Sequence, residues 1–282
     1  MKEHNKSIEW WSPDGGFFGS QYITGDDSLK GYIPDCFESL EERTLREVDG
    51  VINLLNLQEG ESVMDVPCGY GRHSIELAKR GHPVLGLDLN EIHLSLARDN
   101  ITKNLLKFPK NKNSSFPNIP LFIQGNMLSL KNEPTNSFDA IINMFYSFGF
   151  FDSDEENESV MDGFYKQLKF GGRLLIHTDV SPEMIQLGNY QLSERRQLKF
   201  GGQLQIEEFY DLASKKINGS WTIEDMNGNK NQLTPYSVRI YSAQEFTDMA
   251  LRAGFSQVEI YGSFTREQFT SNSNELIVVA KK

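Results

Sequence analysis

The sequence predicts an α/β protein with a doubly wound, largely parallel sheet as its core and an antiparallel β excursion inserted late in the chain. Apolar runs such as "SVMDV", "PVLGLDL" and "GRLLIHTD" alternate with segments of helical period, as in sheets buried on both faces. Between residues 190 and 241 the alternation stops. Three strand-like runs, "QLQIEEFYDL", "KKINGSWTIEDM" and "LTPYSVRIYS", follow one another there, with the turn pairs Asn218-Gly219 and Asn227-Gly228.

Taken in order, residues 1–36 form an arm rich in Gly, Asp and aromatics without a helical or strand period. Trp10, Trp11, Phe17 and Phe18 are too apolar to stand in water, so the arm is expected to pack on the body. The core, residues 37–180, opens with apolar positions Leu40, Leu45, Val48, Ile52 and Leu55, the stripe of an amphipathic helix over 37–55. Strand "SVMDV", a glycine turn, helix "HSIELAKR" closed by Gly81 and strand "PVLGLDL" then make a βαβ unit. Helix 91–106, strands "LFIQG" and "FDAIINM", helix 156–168 and strand "GRLLIHTD" continue it. The polar, proline-containing run "KFPKNKNSSFPNIP" reads as a surface loop. The inserted excursion takes residues 181–241. Residues 242–282 complete the core with a capping box from Ser242 to Glu245, a helix ended by Gly254, and strands around "VEIYG" and "ELIVVAK".

Charge and composition exclude several functions. With 28 Lys+Arg against 39 Asp+Glu, the net charge of −11 repels polyanions, and no basic cluster offsets it, so nucleic acid is not the expected partner. Cys36 and Cys68 lie far apart with no CxxC pair or Cys/His cluster, which disfavours a disulfide or structural zinc. The start "MKEHNKSIEWWSPDGG" has no apolar leader and no run is long enough to span a membrane, so a soluble, cytoplasmic protein is expected.

Chemistry concentrates in "VMDVPCGYGRHSIELAKRGHPVLGLDLN", residues 63–90. A dinucleotide fingerprint wants G-x-G-x-x-G after its strand, but Ser74 holds the third place and Asp65 precedes the turn, where a carboxylate would repel a pyrophosphate. A ligand with hydroxyls or a cationic group suits that acid better. Gly69 and Gly71 let the backbone approach it, and Asp88, ending the second strand, can accept two ribose hydroxyls. These features describe a pocket for a nucleoside without phosphates.

"DVPCGYGRHS" with "GLDLN" resembles motifs I and II of the class I S-adenosylmethionine-dependent methyltransferases, and further matches follow in the expected order. "IQGNM" resembles the segment that meets the adenine, "FDAIINMFYSFGFF" resembles motif IV, and "EERTLREVDGVINLL" resembles the N-terminal helix of glycine- and sugar-type N-methyltransferases. The resemblance implies a Rossmann-like seven-stranded sheet, S-adenosylmethionine as cofactor, S-adenosylhomocysteine as product and a small-molecule acceptor, with nitrogen favoured over oxygen. It implies cofactor contacts from Asp65, Pro67, Gly69, Gly71, Asp88, Leu89, Asn126, Met127 and Met144. Pro67 departs from the family's frequent glycine, and Asn126 from its usual acid near the adenine.

The same resemblance points to Arg43 for the cofactor carboxylate and to Tyr22 or Tyr32 on the arm for a lid near the sulfonium, with Tyr22 a candidate catalytic group and Tyr32 a candidate cofactor contact. Arg43 can equally pair with a Glu of its own helix. His177 and Asp179 end the fifth strand, where open α/β sheets bind ligands, which makes His177 a candidate catalytic group and Asp179 a candidate acceptor contact. The resemblance of the motif IV segment implies that Tyr146 and Ser147 lie where the substrate meets the methyl group, Tyr146 as a candidate catalytic group and Ser147 as an acceptor contact. Arg239 and Tyr241 either bind a substrate carboxylate or brace the wall of the inserted sheet. No metal is expected, because the motif IV residues Asn143, Met144, Phe145 and Tyr146 offer no clustered acids. A nicotinamide-dependent oxidoreductase or a non-catalytic cofactor-binding domain are the alternatives, and oligomeric state is left open.

Overall fold

The computed structural model describes residues 10–12, 16–26, 38–109, 118–133, 135–199 and 201–282. Its first helices are α1 (Tyr22–Asp26) on the arm and α2 (Leu40–Leu54). The predicted helix over 37–55 starts at Leu40 because Ser39 and Glu42 form a reciprocal capping box that stops it there. Strand β1 (Val63–Asp65) leads through the glycine turn to α3 (Arg72–Lys79), then to β2 (Val84–Asp88), α4 (Glu91–Asn104), β3 (Leu121–Gln124), β4 (Phe138–Asn143), α5 (Asp154–Gln167) and β5 (Leu168–Thr178). Helix α4 gives way at Asn104 to a tighter turn over Leu105–Lys107. Helix α5 begins two residues earlier than the apolar period requires, because the Ser153 hydroxyl accepts from the Glu156 N–H.

After β5 come α6 (Pro182–Leu187), β6 (Ser193–Gln197), β7 (Gln203–Asp211), β8 (Lys216–Glu224), β9 (Lys230–Gln232), β10 (Tyr236–Arg239), α7 (Ala243–Ala253), β11 (Gln257–Tyr261) and β12 (Leu276–Lys281). Elements α1, α6, β6 and β9 were not legible in the pattern. They are three to six residues long, and β6 and β9 are polar runs, so no period can be read from them.

The seven-stranded sheet has the order β11-β12-β5-β4-β1-β2-β3, with β12 antiparallel to both neighbours. This is the predicted Rossmann-like α/β architecture. Strand β1 lies between β4 and β2, so Asp65, Asp88 and Asn143 end adjacent parallel strands on one edge. The excursion forms a second, antiparallel sheet, β10-β8-β7-β6, with β9 paired to β8.

Two apolar cores cover the faces of the main sheet. One includes Val48, Leu77 and Leu94 of α2, α3 and α4, and the other Phe164 and Phe246 of α5 and α7. A third core joins the inserted sheet to the arm, where the Phe17 ring meets Trp221 at 5.1 Å and Tyr236 at 4.2 Å between centroids. The aromatic residues Trp10, Phe17 and Phe18 thus pack as their composition requires; the arm residues 27–37, with Tyr32, lie outside the described residues. Among the described residues no helix is long and apolar enough to cross a membrane.

Candidate functional site

Two cavities open at the carboxyl ends of the central strands, of about 960 Å³ and about 1050 Å³ of non-atom space. The first is built on the glycine turn. Gly69 adopts φ +53°, and a Cβ there would touch nothing, so the residue borders open space. Gly71, at φ +79°, has the opposite constraint: a Cβ would lie 2.6 Å from Phe122 and 2.9 Å from Ala97. One glycine clears room for a ligand; the other lets α3 approach β3 and α4.

Asp88 closes this loop. Its carboxylate accepts the Gly69 N–H at 2.7 Å and the Asn90 N–H at 2.8 Å, one on each oxygen, leaving further lone pairs beside the cavity. Burial pushes its pKa up while those N–H groups and His93 pull it back. Pro67, Leu89, Asn126, Met127 and Met144 line the same cavity. Asn126 accepts from the Leu128 N–H at 2.9 Å, which commits its amide oxygen and leaves the NH₂ end as its donor. Asp65, expected at the cofactor, does not border the cavity: it is fully buried, taking the Ser74 hydroxyl at 2.6 Å on one oxygen, while the other has no hydrogen-bond partner among the described residues. Burial raises its pKa to about 7.

One end of the cavity is ionic. Asp26, carried by α1, accepts from Arg43 at 3.1 Å and from the Tyr70 hydroxyl at 2.5 Å, while Glu47 of α2 holds Arg72 at 2.5 Å and His73 at 2.8 Å. Burial works to raise the Asp26 and Glu47 pKa values, but the surrounding arginines and hydrogen bonds outweigh it and hold both below the usual carboxylate range. His73, buried and beside Arg72, falls to about 4, so it is neutral near pH 7. Asp26, Tyr70 and Arg72 border the cavity, so that its lining carries both a carboxylate and a guanidinium, each bonded to a residue behind it.

The second cavity lies between the main sheet, the inserted sheet and the arm. Phe18, Tyr22, Phe145 and Phe150 border both cavities and form an aromatic partition. Phe145 and Tyr146 each adopt a left-handed conformation, φ +58° and +56°, rare for side chains of this size and costing of order 1–3 kcal/mol each. The strained turn after β4 aims Phe145 at the partition and Tyr146 into the second cavity. The Tyr146 hydroxyl has no hydrogen-bond partner among the described residues. Asp179, Tyr190, Glu194, Arg196, Glu208 and Tyr236 also border this space.

Several expectations need correction. Arg43 does not border the first cavity; it is 4% exposed, paired with Asp26 and lying 3.9 Å from Glu47 on its own helix, while Arg72 borders the cavity instead. His177 is 2% exposed behind Phe145 and Phe264 and borders neither large cavity, so it is not positioned for proton transfer there. Ser147 faces the first cavity rather than the second, its hydroxyl given to the Met144 carbonyl at 2.8 Å. Arg239 and Tyr241 brace the wall: Arg239 bonds Glu245 at 2.6 Å and stacks on Tyr241, whose hydroxyl bonds Asp154 at 2.7 Å. Neither borders a large cavity.

Sequence reasoning missed Asp26, Tyr70 and Arg72 in the first cavity and Tyr190, Arg196, Glu208 and Tyr236 in the second. For Glu208 a signal existed. Leu204 and Ile206 precede it on the same face of β7 at period two, so an acid continues an otherwise apolar, inward stripe. For Asp26 there was none, since five residues of α1 show no period. Among the described residues no three His, Cys, Asp or Glu side chains converge as a metal site.

Comparison with known proteins agrees with this geometry. The family model described as "Methyltransferase domain" matches residues 57–246. A Geobacillus sp. (strain WCH70) protein, provisionally named a methyltransferase, is 24% identical over 91% of this chain and 96% of its own length. A tRNA (uracil(54)-C(5))-methyltransferase of Pyrococcus horikoshii is 36% identical, but over only 31% of this chain and 21% of its own. Among solved structures, the CcbJ methyltransferase of Streptomyces caelestis superposes with TM-score 0.70 at 17% identity, covering 91% of this chain and 97% of its own. The sugar N-methyltransferase KedS8 of Streptoalloteichus sp. does so with TM-score 0.63 at 14% identity, covering 90% and 96%. The nicotinamide-dependent alternative gives way to these matches. The family model spans about two thirds of the chain and the matched residues carry the glycine turn and Asp88 at the cavity, so the chain belongs to the methyltransferase domain family, with S-adenosylmethionine as its methyl donor.

Proposed function

We propose that the protein transfers the methyl group to a nitrogen of a small-molecule amine held in the second cavity. The observation that carries this reading is the acidic lining of that cavity: among the described residues, Asp179, Glu194 and Glu208 border it with one guanidinium, that of Arg196, which is itself bonded to Glu194 at 2.7 Å. Such a lining favours a cation with hydrogen-bonding groups over an anion.

When bound, S-adenosylmethionine supplies a methyl carbon made electrophilic by its sulfonium. The chain's own residues then have three tasks. Asp88 receives the ribose hydroxyls, Asn126 donates to the adenine with Met127 and Leu89 against the ring, and Arg72 and Asp26 meet the carboxylate and ammonium of the tail. Phe18, Tyr22, Phe145 and Phe150 form the collar through which the methyl passes and from which water is excluded. Tyr146 presents its hydroxyl to the acceptor.

Turnover of a panel of hydroxylated primary and secondary amines, phenols and a short RNA, read as S-adenosylhomocysteine release, tests the reading. Release confined to amines is expected. Release with phenols or RNA alone overturns it, and no release with any acceptor returns the chain to a non-catalytic binding role.

The arm is proposed to act as a lid, because α1 contributes both Asp26 at the ionic end and Tyr22 at the partition, where the Tyr22 ring stacks on Trp221 at 5.3 Å. Amide exchange in residues 16–26 is expected to slow when S-adenosylhomocysteine is added, and Tyr22→Phe to lower turnover more than cofactor affinity. Equal exchange with and without ligand, with full activity in the variant, would leave the arm as packing alone.

A further inference from the structure

We propose that Glu208 takes the proton from the acceptor's ammonium group, and that Tyr190 and Tyr236 are its positioning residues. The proposal rests on the amine reading above and adds a residue that does chemistry within it. Glu208 lies on β7, a strand whose inward stripe is otherwise apolar, with Leu204 and Ile206 before it. It borders the second cavity together with Asp179. An acid on such a stripe is costly unless its oxygens find partners.

The partners are hydroxyls. Tyr190 donates to Oε2 at 2.7 Å, and Tyr236 donates to Oε1. These two bonds fix the carboxylate plane from two directions, one from the segment after α6 and one from β10. No Lys, Arg or His forms an ion pair with Glu208 among the described residues, and the Arg196 guanidinium, whose charge acts on it, is bonded to Glu194. The carboxylate is therefore oriented but lacks a counter-ion, and a cationic amine entering the cavity supplies one.

Among the described residues, the remaining titratable groups that border the cavity with Glu208, besides Tyr22 of the partition, are these. Asp179 directly follows β5, Glu194 and Arg196 stand on β6, Tyr146 on the turn after β4, and Tyr190 and Tyr236 donate directly. Burial keeps the three phenols protonated well above their usual range, so they remain donors or bystanders at neutral pH. Burial also lifts Glu208 to about 7, against the pull of the two tyrosine bonds. An ordinary carboxylate is several units too acidic to receive an ammonium proton readily; lifting it toward the working pH narrows that gap.

In the step, one N–H bond of the ammonium breaks and an O–H bond forms on Glu208, leaving a neutral amine and a carboxylic acid. The freed nitrogen lone pair then forms the bond to the methyl carbon as the carbon–sulfur bond breaks, its electron pair staying on sulfur. The products are an N-methylammonium ion and a neutral thioether, and the Glu208 proton returns to solvent after they leave.

The test compares wild type with Glu208→Gln, Glu208→Asp and Asp179→Asn, using the amine of the panel that wild type turns over fastest. Because turnover needs Glu208 ionised, wild-type kcat is expected to rise with pH through about 7. Glu208→Gln should bind S-adenosylhomocysteine as wild type does, lose that limb and lower kcat by about a hundredfold, the scale of a lost acid–base group. Glu208→Asp should recover part of the rate with the limb intact, and Asp179→Asn should raise KM and keep the limb. Superimposable pH profiles for wild type and Glu208→Gln, or a limb that disappears with Asp179→Asn instead, overturn the proposal while leaving the amine reading in place. If S-adenosylhomocysteine binds but no amine is methylated, the amine reading falls, and the proposal with it.

Discussion

Replacing Asp88 by alanine is expected to weaken S-adenosylhomocysteine binding by about 3 kcal/mol, roughly a hundredfold, the scale of hydrogen bonds to a charged group lost from a buried site. Two effects add. In the proposed cofactor site the ribose hydroxyls lose their acceptor, and the Gly69 and Asn90 N–H groups, held at 2.7 and 2.8 Å, lose theirs. The glycine loop then has no fixed distance from the end of β2, so the space in front of Gly69 is no longer preorganised. Asp88→Asn keeps one acceptor oxygen and is expected to fall between the two. Calorimetry on folded variants checks this, and an unchanged affinity for Asp88→Ala would remove Asp88 from the cofactor site.

Gly149→Ala is expected to cost at least about 3 kcal/mol of folding stability, because two destabilising causes coincide at one residue. Gly149 has φ +107°, which L side chains rarely adopt, and a Cβ there would lie 2.2 Å from the backbone carbonyl oxygen of Arg239. That backbone cannot retreat cheaply: the Arg239 N–H donates to the Gly149 carbonyl at 2.9 Å, which ties the loop after β4 to β10. Gly60→Ala is the control. Its φ is +86° but no atom lies within 4 Å of the added Cβ, so only the conformational cost of about 1–2 kcal/mol remains. Urea unfolding should separate the two variants clearly. Equal stabilities would mean that the two sheets can part at Gly149 without penalty, and that the walls of the second cavity are not held there.

Both predictions concern places where a local signal and a distant contact meet, and they divide what could be read from the chain. The βαβ run from Val63 to Asp88 is contiguous, and its strands and helix are set by apolar period, turn glycines and caps acting within a few residues. Hence the fold class, the glycine turn and Asp88 were legible in the sequence. The acid end of the first cavity was not, because Asp26 and Arg43 are 17 positions apart and Tyr70 is 44 from Asp26. Arg43 has the right residue type on the right helix, yet Asp26 of the arm takes its charge and Arg72 stands at the cavity in its place.

By itself the sequence determined which faces of the strands and helices are apolar, and through them the seven-stranded α/β sheet and the glycine turn with Asp88 at the first cavity. Periodicity, however, says only that a face must be covered, and is silent on which distant segment covers it. Only the tertiary structure decided that Phe17 would meet Trp221 and Tyr236, that His177 would be shut behind Phe145, and that Glu208 would reach a cavity between two tyrosines from β10 and the segment after α6. Those contacts follow from burying the arm and the inserted sheet against each other, a global balance of apolar burial that no short window of residues contains.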